Sequence, residues 1–137
     1  MTIEKTIQTV KDFFAAIGCG DRKALLALVA EDIEWIIPGE DWQLAGTYRG
    51  HAGLANLLET ASKSIETSTE PREFIALGDR VVVVGSARGR IKATKKTFED
   101  DWIFAITVRD GRLTNIREYV DTQALARASQ MDASGPA

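Results

Sequence analysis

The carboxylate of Glu118 is the side chain in this sequence best placed to do acid/base chemistry. It lies in the segment TNIREYVD, residues 114–121, where strand alternation puts it on one face with Thr114, Ile116 and Val120. A carboxylate on such an apolar face loses water, and desolvation raises its pKa towards the neutral range that a general acid/base needs. The alternative is an ordinary surface charge that pairs with an arginine or reaches solvent near the strand end.

Three other places in the sequence carry reactive side chains. Asp100 and Asp101 are adjacent, so alternation turns one of them towards the core. His51 is the only histidine and begins a predicted helix, where a surface position competes with an acid/base role in a pocket. Cys19, in the segment GCGD, has only His51 as an imidazole partner, which favours an incidental thiol over a nucleophile. With one cysteine and one histidine, no disulfide, metal site or cofactor is predicted.

The length, composition and net charge of the chain limit the classes of partner that it can bind. At 137 residues the chain forms one domain, residues 1–137, with a substantial core. A net charge of −3 and an isoelectric point near 5.2 disfavour nucleic acid, because phosphate binding needs a concentrated basic face. No signal-like segment and no apolar run of roughly 20 residues is present, so we expect a cytoplasmic protein with no membrane partner. Residues 126–137 are small and polar, which predicts a disordered tail.

Hydrophobic periodicity predicts three helices and a set of strands that hold these residues. The helices cover residues 3–17, the segment RKALLALVA, and residues 51–65, whose apolar stripe includes Leu58. A strand with alternating Trp35 and Ile37 precedes the third helix, and several turn-bounded strands follow it. This order predicts an α+β fold in which a curved antiparallel sheet wraps around the three helices and encloses a small-molecule pocket.

The segments AAIGCGDRKALLALVAEDIEW, GTYRGHAGL and VRDGRLTNIREYVD resemble the SnoaL-like branch of the NTF2-like superfamily, over roughly residues 3–125. The resemblance implies a cone-shaped fold with a deep internal pocket and a homodimer formed through the outer face of the sheet. We expect Trp35, which shares a strand face with Ile37, to line this pocket, with plain core packing as the alternative. Trp42 and Tyr48 lie in a loop over the mouth, either as a lid or as simple loop packing. The family includes enzymes and non-catalytic binders, so the fold alone does not assign a function.

Ketosteroid isomerase, in the same superfamily, uses a tyrosine, a carboxylate base and a protonated aspartate. Alignment on the shared segments places Phe13, Ile37 and Ile103 at these positions, and none of the three can transfer a proton. Steroid isomerisation is therefore not predicted. The register that turns Ile103 inward also puts Asp101 near the pocket rim as a second acid, and Trp102 on the outer face.

Glu118 matches an essential carboxylate on the last strand of limonene epoxide hydrolase, but the Arg-x-Asp pair of that enzyme has no counterpart here. SnoaL-type polyketide cyclases need one pocket acid, which Glu118 supplies. We therefore expect a small apolar ligand, of polyketide or terpenoid type, that is bound and converted by acid/base chemistry without a cofactor. The alternative is a non-catalytic binder or dimeric interaction module. The predicted pocket walls are Phe13, Trp35, Ile37, Leu58, Ile103 and Ile116.

Overall fold

The computed structural model describes residues 2–39 and 43–129, without the side chains of residues 122 and 123. The described residues form four helices and six strands in the order α1 (Ile3–Cys19), α2 (Arg22–Leu28), β1 (Val29–Ile37), β2 (Gly46–Arg49), α3 (Gly50–Ser64), β3 (Ile65–Leu77), β4 (Arg80–Ile91), β5 (Thr97–Arg109), β6 (Arg112–Val120) and α4 (Thr122–Ser129). The predicted α+β class is confirmed.

Local sequence signals set the ends of the first two helices. The hydroxyl of Thr2 accepts a hydrogen bond from the Lys5 amide at 3.1 Å and caps the start of α1. Gly20 ends α1 with φ of 68°, a conformation that glycine adopts without a steric penalty. Asp21 then accepts from the Ala24 amide at 3.0 Å and starts α2. The two helices are thereby joined by a very short turn and pack against each other.

The strands form one curved sheet in the order β2-β1-β6-β5-β4-β3. All neighbouring strands are antiparallel except β1 and β6, which run parallel and pair Trp35 with Ile116. Helix α1 packs on β3 and β4, α3 packs on β1 and β2, and α4 packs on β5 and β4. The inner face of the sheet and the helices therefore share one core, in which Val10, Phe13 and Ile106 are completely buried.

A β-bulge in β6 decides which residues of that strand face the core. Thr107 pairs with Asn115 and Val108 pairs with Leu113, so Thr114 is an extra residue without a partner on β5. One extra residue reverses the facing of every later residue of β6, because side chains alternate along a strand. Glu118 consequently lies opposite Phe104, whereas an uninterrupted hairpin would put it opposite residue 103.

The predicted facing of β5 is wrong, because this strand buries its alternate residues from Phe98 to Val108. Asp101 and Ile103 face outwards, with 44% of Ile103 exposed, so neither lines the interior. Asp100 and Trp102 face inwards and are 7% and 3% exposed. The second inward acid is therefore Asp100 rather than Asp101, and Trp102 belongs to the core side rather than the outer face.

The end of the chain contains one more helix than the sequence pattern predicted. Helix α4 continues through residues 126–129, which the predicted tail had included, and buries Leu125 and Ala128. The hydroxyl of Thr94 donates a hydrogen bond to the Ala128 carbonyl and fixes this helix to the β4–β5 connection. Residues 130–137 lie outside the described part of the chain. Within the described part, every helix is too short or too polar to cross a lipid bilayer.

Candidate functional site

A cavity of about 80 Å³ lies between the inner face of the sheet, helix α4 and the segment before β2. The strands that surround it are β3, β4, β5 and β6, and most of its walls are apolar. Its lining residues are Leu44, Ile65, Thr67, Thr69, Ala87, Phe98, Asp100, Trp102, Phe104, Glu118, Val120 and Leu125. The cavity is thus a largely apolar space into which two carboxylic acids project.

Small residues on β4 provide part of the space for this cavity. Gly85, Ala87 and Gly89 are alternate residues on the inner face, opposite Trp102, Asp100 and Phe98 respectively. A Cβ atom on Gly85 would lie 2.4 Å from Cζ2 of Trp102 and 2.5 Å from the Glu70 carbonyl oxygen. The indole can lie against the sheet at this point only because residue 85 has no side chain.

Glu118 is the acid at the β6 side of the cavity. It is partly buried, and its Oε1 accepts a hydrogen bond from the indole Nε1 of Trp35 at 3.1 Å. The pKa of Glu118 is raised to about 7, mainly because the carboxyl group is buried; the Trp35 hydrogen bond lowers it and the negative charge of Asp100 raises it. Both protonation states of Glu118 are consequently populated near neutral pH, and Trp35 holds one of the two carboxylate oxygens in place.

Asp100 is the second acid of the cavity and sits on β5. Its pKa is raised to about 6, mainly by burial and also by the charges of Asp121 and Asp101, while a hydrogen bond from its own backbone amide lowers it. Its Oδ1 atom is buried and has no hydrogen-bond partner among the described residues. A polar groove, lined also by Arg72 and Arg88, touches Asp100 from the other side. Asp100 therefore lies between the apolar cavity and a polar surface depression.

A cluster of aromatic rings packs around the two acids. Trp102 stacks on Phe14 with ring centroids 5.4 Å apart and an interplanar angle of 16°, and it contacts Phe104 at 4.8 Å. Phe104 in turn contacts Trp35 at 6.0 Å. Like Oδ1 of Asp100, Nε1 of Trp102 is buried without a hydrogen-bond partner in the described structure. Trp102 thus lines the cavity with its ring, while its N–H is enclosed in the packing around it.

Tyr48 is the described residue of the β2 region that approaches Glu118. Its hydroxyl donates to the Leu44 carbonyl at 2.8 Å, which fixes the segment over the cavity. The pKa of Tyr48 is raised by burial and by the charge of Glu118, so the two side chains are close enough to interact. Trp42, the other aromatic residue predicted for this loop, lies outside the described residues.

Several predicted pocket residues lie elsewhere. Phe13, Trp35, Ile37 and Ile116 are buried in the core and do not line the cavity, and Trp35 is linked to it only by its hydrogen bond to Glu118. Leu58 borders a separate depression between α1, α2 and α3. His51 contacts the Val29 carbonyl through Nε2 at 3.2 Å, which ties the start of α3 to the start of β1. The predicted apolar helix faces are confirmed, but they pack in the core. The cavity lies further along the sheet, towards α4.

The residues that the sequence reading missed are Asp100, Trp102 and the small residues of β4. A signal for them was present: GSARG alternates small residues at inward positions, while FEDDW carries bulky and acidic ones at the same spacing. Pairing these two strands puts Gly85 beside Trp102 and Ala87 beside Asp100. No three His, Cys, Asp or Glu side chains come together as metal ligands in the described part of the chain.

Comparison with known proteins shows which family and which solved structures this chain resembles. The SnoaL-like domain family matches residues 10–116. An NTF2-like protein from Burkholderia xenovorans LB400 is 64% identical, with 95% of this chain and 99% of that chain covered and a TM-score of 0.87. TerC, crystallised with polyporic acid, is 29% identical, covers 90% of this chain and 97% of its own, and has a TM-score of 0.82.

More distant structures share the fold alone. An LEH-like epoxide hydrolase from M. tuberculosis is 20% identical, with 91% of this chain and 89% of that chain covered and a TM-score of 0.74. Among curated proteins, no sequence matches this chain significantly. Three findings indicate the same family: the match over residues 10–116, the 64% identical relative, and the curved sheet closed by helices. The chain belongs to the SnoaL-like family of NTF2-like proteins.

Proposed function

We propose that the protein is a cytoplasmic acid/base enzyme that binds a small, mostly apolar molecule in the cavity and transfers protons with Glu118, without a cofactor. The observation that carries this proposal is the hydrogen bond from Trp35 to a Glu118 carboxylate in an apolar cavity. The acid is desolvated, oriented by one oxygen, and has its pKa near 7. A general acid/base works best when its pKa lies near the working pH.

The arrangement divides the two oxygens of Glu118 between two tasks. Oε1 is occupied by the indole N–H of Trp35, so Oε2 is the oxygen left for a substrate proton. In its charged form Glu118 accepts a proton from a carbon next to a carbonyl group, and in its neutral form it returns that proton. Each cycle restores the starting carboxylate, so the reaction needs neither an oxidant nor a second substrate.

The walls of the cavity support a compact apolar ligand. Phe98, Phe104, Val120 and Leu125 offer hydrophobic contacts, while the polar groups are confined to a few positions. TerC, the 29% identical relative, was crystallised with polyporic acid, which supports small-molecule binding in this fold. An enolisable ketone fits the same chemistry, because its α-proton is the one that a carboxylate of raised pKa can remove.

The test is hydrogen–deuterium exchange at the α-carbon of 2-indanone, a compact apolar ketone, followed by ¹H NMR in D₂O. We expect the wild-type protein to accelerate exchange and Glu118→Gln to lose most of that acceleration, with a drop on the order of 10²-fold or more. Glu59→Gln is the matched control, because Glu59 is exposed on α3 and pairs only with Lys63.

Binding of 2-indanone is measured in parallel by isothermal titration calorimetry. If Glu118→Gln and the wild type bind the ketone and exchange its protons equally fast, Glu118 is not an acid/base. The protein would then be a non-catalytic binder, which is the competing function for this family.

We also propose that the protein forms a homodimer through the outer face of its sheet. Four apolar or aromatic side chains on that face remain well exposed in the single chain: Ile75 at 56%, Leu77 at 82%, Ile103 at 44% and Tyr119 at 47%. Val84, Ile103 and Tyr119 are neighbours on successive strands and form a continuous row. Burying such a row against a second copy removes apolar surface from water.

A further inference from the structure

The cavity around Glu118 reaches solvent beside β3. Among the described residues that line it, only Thr67 and Thr69 are exposed, and Ile65 next to them is half-buried. In contrast, Leu44, from the segment before β2, is buried where it lines the cavity. The described part of the chain therefore leaves the cavity an entrance at the first half of β3.

The strand topology explains why the entrance lies there. β3 is the edge strand of the sheet next to β4. Thr67 and Thr69 pair with Gly89 and Ala87, which are inward-facing residues of β4, so both threonines lie on the inner face of the sheet. At this edge the described residues form no further strand that could cover them.

A groove of about 340 Å³ lies next to this entrance, and we call it the β3 groove. It runs between the last turns of α1, the last turns of α3 and the first half of β3. Three of its lining residues, Ile65, Thr67 and Thr69, also line the cavity. The two spaces therefore meet at these three side chains.

The volumes of the two spaces indicate an elongated ligand. The cavity measures only about 80 Å³, whereas sites for drug-sized molecules usually measure roughly 300–1,000 Å³. The β3 groove brings the site into that range. A ligand that fills both spaces has its reacting end near Glu118 and the rest of its length along β3.

The walls of the β3 groove indicate the chemistry of that second part. Phe14, Ile17 and Ile65 provide apolar surface, and Ser62 and Thr69 provide hydroxyl groups. None of the described residues that line the groove carries a charge, so a charged chain would find no opposite charge there. The part of the ligand in the groove is therefore uncharged and mainly apolar.

We propose that the β3 groove is a second binding subsite, which holds the uncharged chain of an elongated ketone whose carbonyl end occupies the cavity. This inference rests on the proposed function, because it extends the ligand on which Glu118 acts. Thr67 and Thr69 form the passage between the two subsites. The cavity selects the reacting group, and the β3 groove selects the length of the chain.

The experiment measures the binding of 2-alkanones, from 2-butanone to 2-decanone, by isothermal titration calorimetry. All members share the methyl ketone end and differ only in the length of the chain. We expect the dissociation constant to fall by up to about fourfold for each CH₂ group that enters the groove, because each one leaves water. The gain should end when the chain extends beyond the groove.

Two substitutions narrow the β3 groove from different helices, Gly18→Leu on α1 and Ala61→Leu on α3. A Cβ atom on Gly18 meets no atom within 4 Å, so the larger side chain there does not disturb the core. Both variants should bind 2-decanone at least about tenfold more weakly than the wild type. Ala15→Leu is the matched control, because Ala15 is exposed on α1 and does not line the groove.

A second measurement needs no substitution at the site. Methyl NMR spectra report on Ile17, which lines the β3 groove but not the cavity. The Ile17 methyl signals should shift when 2-decanone binds and stay in place when 2-butanone binds. Ile3 is the internal control, because it is exposed at the other end of α1.

The outcomes separate this inference from the proposed function. A dissociation constant that does not change with chain length, no binding of any 2-alkanone, or a full gain in both Gly18→Leu and Ala61→Leu would overturn the subsite. In each of these cases the exchange of 2-indanone still tests Glu118, because that ketone carries no chain. A gain that is lost in Gly18→Leu, together with shifted Ile17 signals, supports the subsite even if Glu118→Gln exchanges 2-indanone as fast as the wild type.

Discussion

The indole N–H of Trp35 donates a hydrogen bond to Oε1 of Glu118 at 3.1 Å, although the two residues are 83 positions apart in the chain. Trp35 lies on β1 and Glu118 on β6, and the parallel pairing of these strands puts Trp35 beside Ile116, one inward position away from Glu118. This bond lowers the pKa of Glu118 while burial raises it, and burial is the larger effect. The acid therefore titrates near neutrality in a fixed orientation.

Glu118→Gln should stabilise the protein at pH 8 but not at pH 4. A carboxyl group whose pKa rises from 4.5 in the unfolded chain to about 7 in the fold costs stability once the pH exceeds 4.5, and the full cost is present above 7. Glutamine never ionises, so it removes that cost, which is up to about 3 kcal/mol. Urea unfolding at both pH values measures the difference, with Glu59→Gln as the control. An equal stability change at both pH values would contradict the raised pKa.

Trp35→Phe should move the titration of Glu118 to higher pH. The substitution keeps an aromatic ring against Phe13 and Phe104 but removes the indole N–H that donates to the carboxylate. The charged form of Glu118 then loses this hydrogen bond, and its pKa should rise by about one unit. Infrared difference spectra follow the protonated carboxyl band, which Glu118→Gln identifies. Trp102→Phe is the control, because Trp102 has no hydrogen bond to Glu118. A midpoint that falls, or stays constant, in Trp35→Phe would show that the bond does not stabilise the anion.

Gly85→Ala should destabilise the fold by about 1–3 kcal/mol, because the new methyl group overlaps both Trp102 and the Glu70 carbonyl. The indole must move for the methyl group to fit, so the variant should also change Trp102 fluorescence. Gly18→Ala is the matched control: a Cβ atom there meets nothing within 4 Å, and alanine favours the helical backbone of α1. Thermal unfolding distinguishes the two. If Gly85→Ala is as stable as Gly18→Ala, the close packing of Trp102 on β4 is not required.

Ile103→Glu should convert the proposed dimer to a monomer. A carboxylate in the centre of the outer apolar row would lose water on association without a partner charge, which opposes pairing. Light scattering coupled to size-exclusion chromatography gives the mass at micromolar concentration. Ile3→Glu introduces the same change on α1, where Ile3 is also exposed, and should not alter the mass. A monomeric wild type, or a dimeric Ile103→Glu variant, argues against the outer face as the interface.

Local sequence patterns were sufficient to predict the order of the elements and the strand face on which Glu118 lies. Apolar residues at helical and strand spacing gave the three helices and the strands, because burial requires one continuous apolar face per element. The alternation within TNIREYVD correctly grouped Glu118 with Ile116 and Val120. The resemblance to SnoaL-like proteins then supplied the overall fold, which the family match and the 64% identical relative confirm.

Only the tertiary structure decided which residues of β6 face the cavity together with those of β5. The unpaired Thr114 shifts the pairing of β5 with β6 by one residue, and local sequence does not reveal such a bulge. That single shift puts Glu118 opposite Phe104, on the face where β5 also carries Asp100 and Trp102. The position of the cavity likewise depends on α4 packing across β5 and on the parallel contact of β1 with β6, both of which join distant parts of the chain. The sequence by itself identified Glu118 as an acid of the cavity, and the long-range pairing of strands determined which residues surround it.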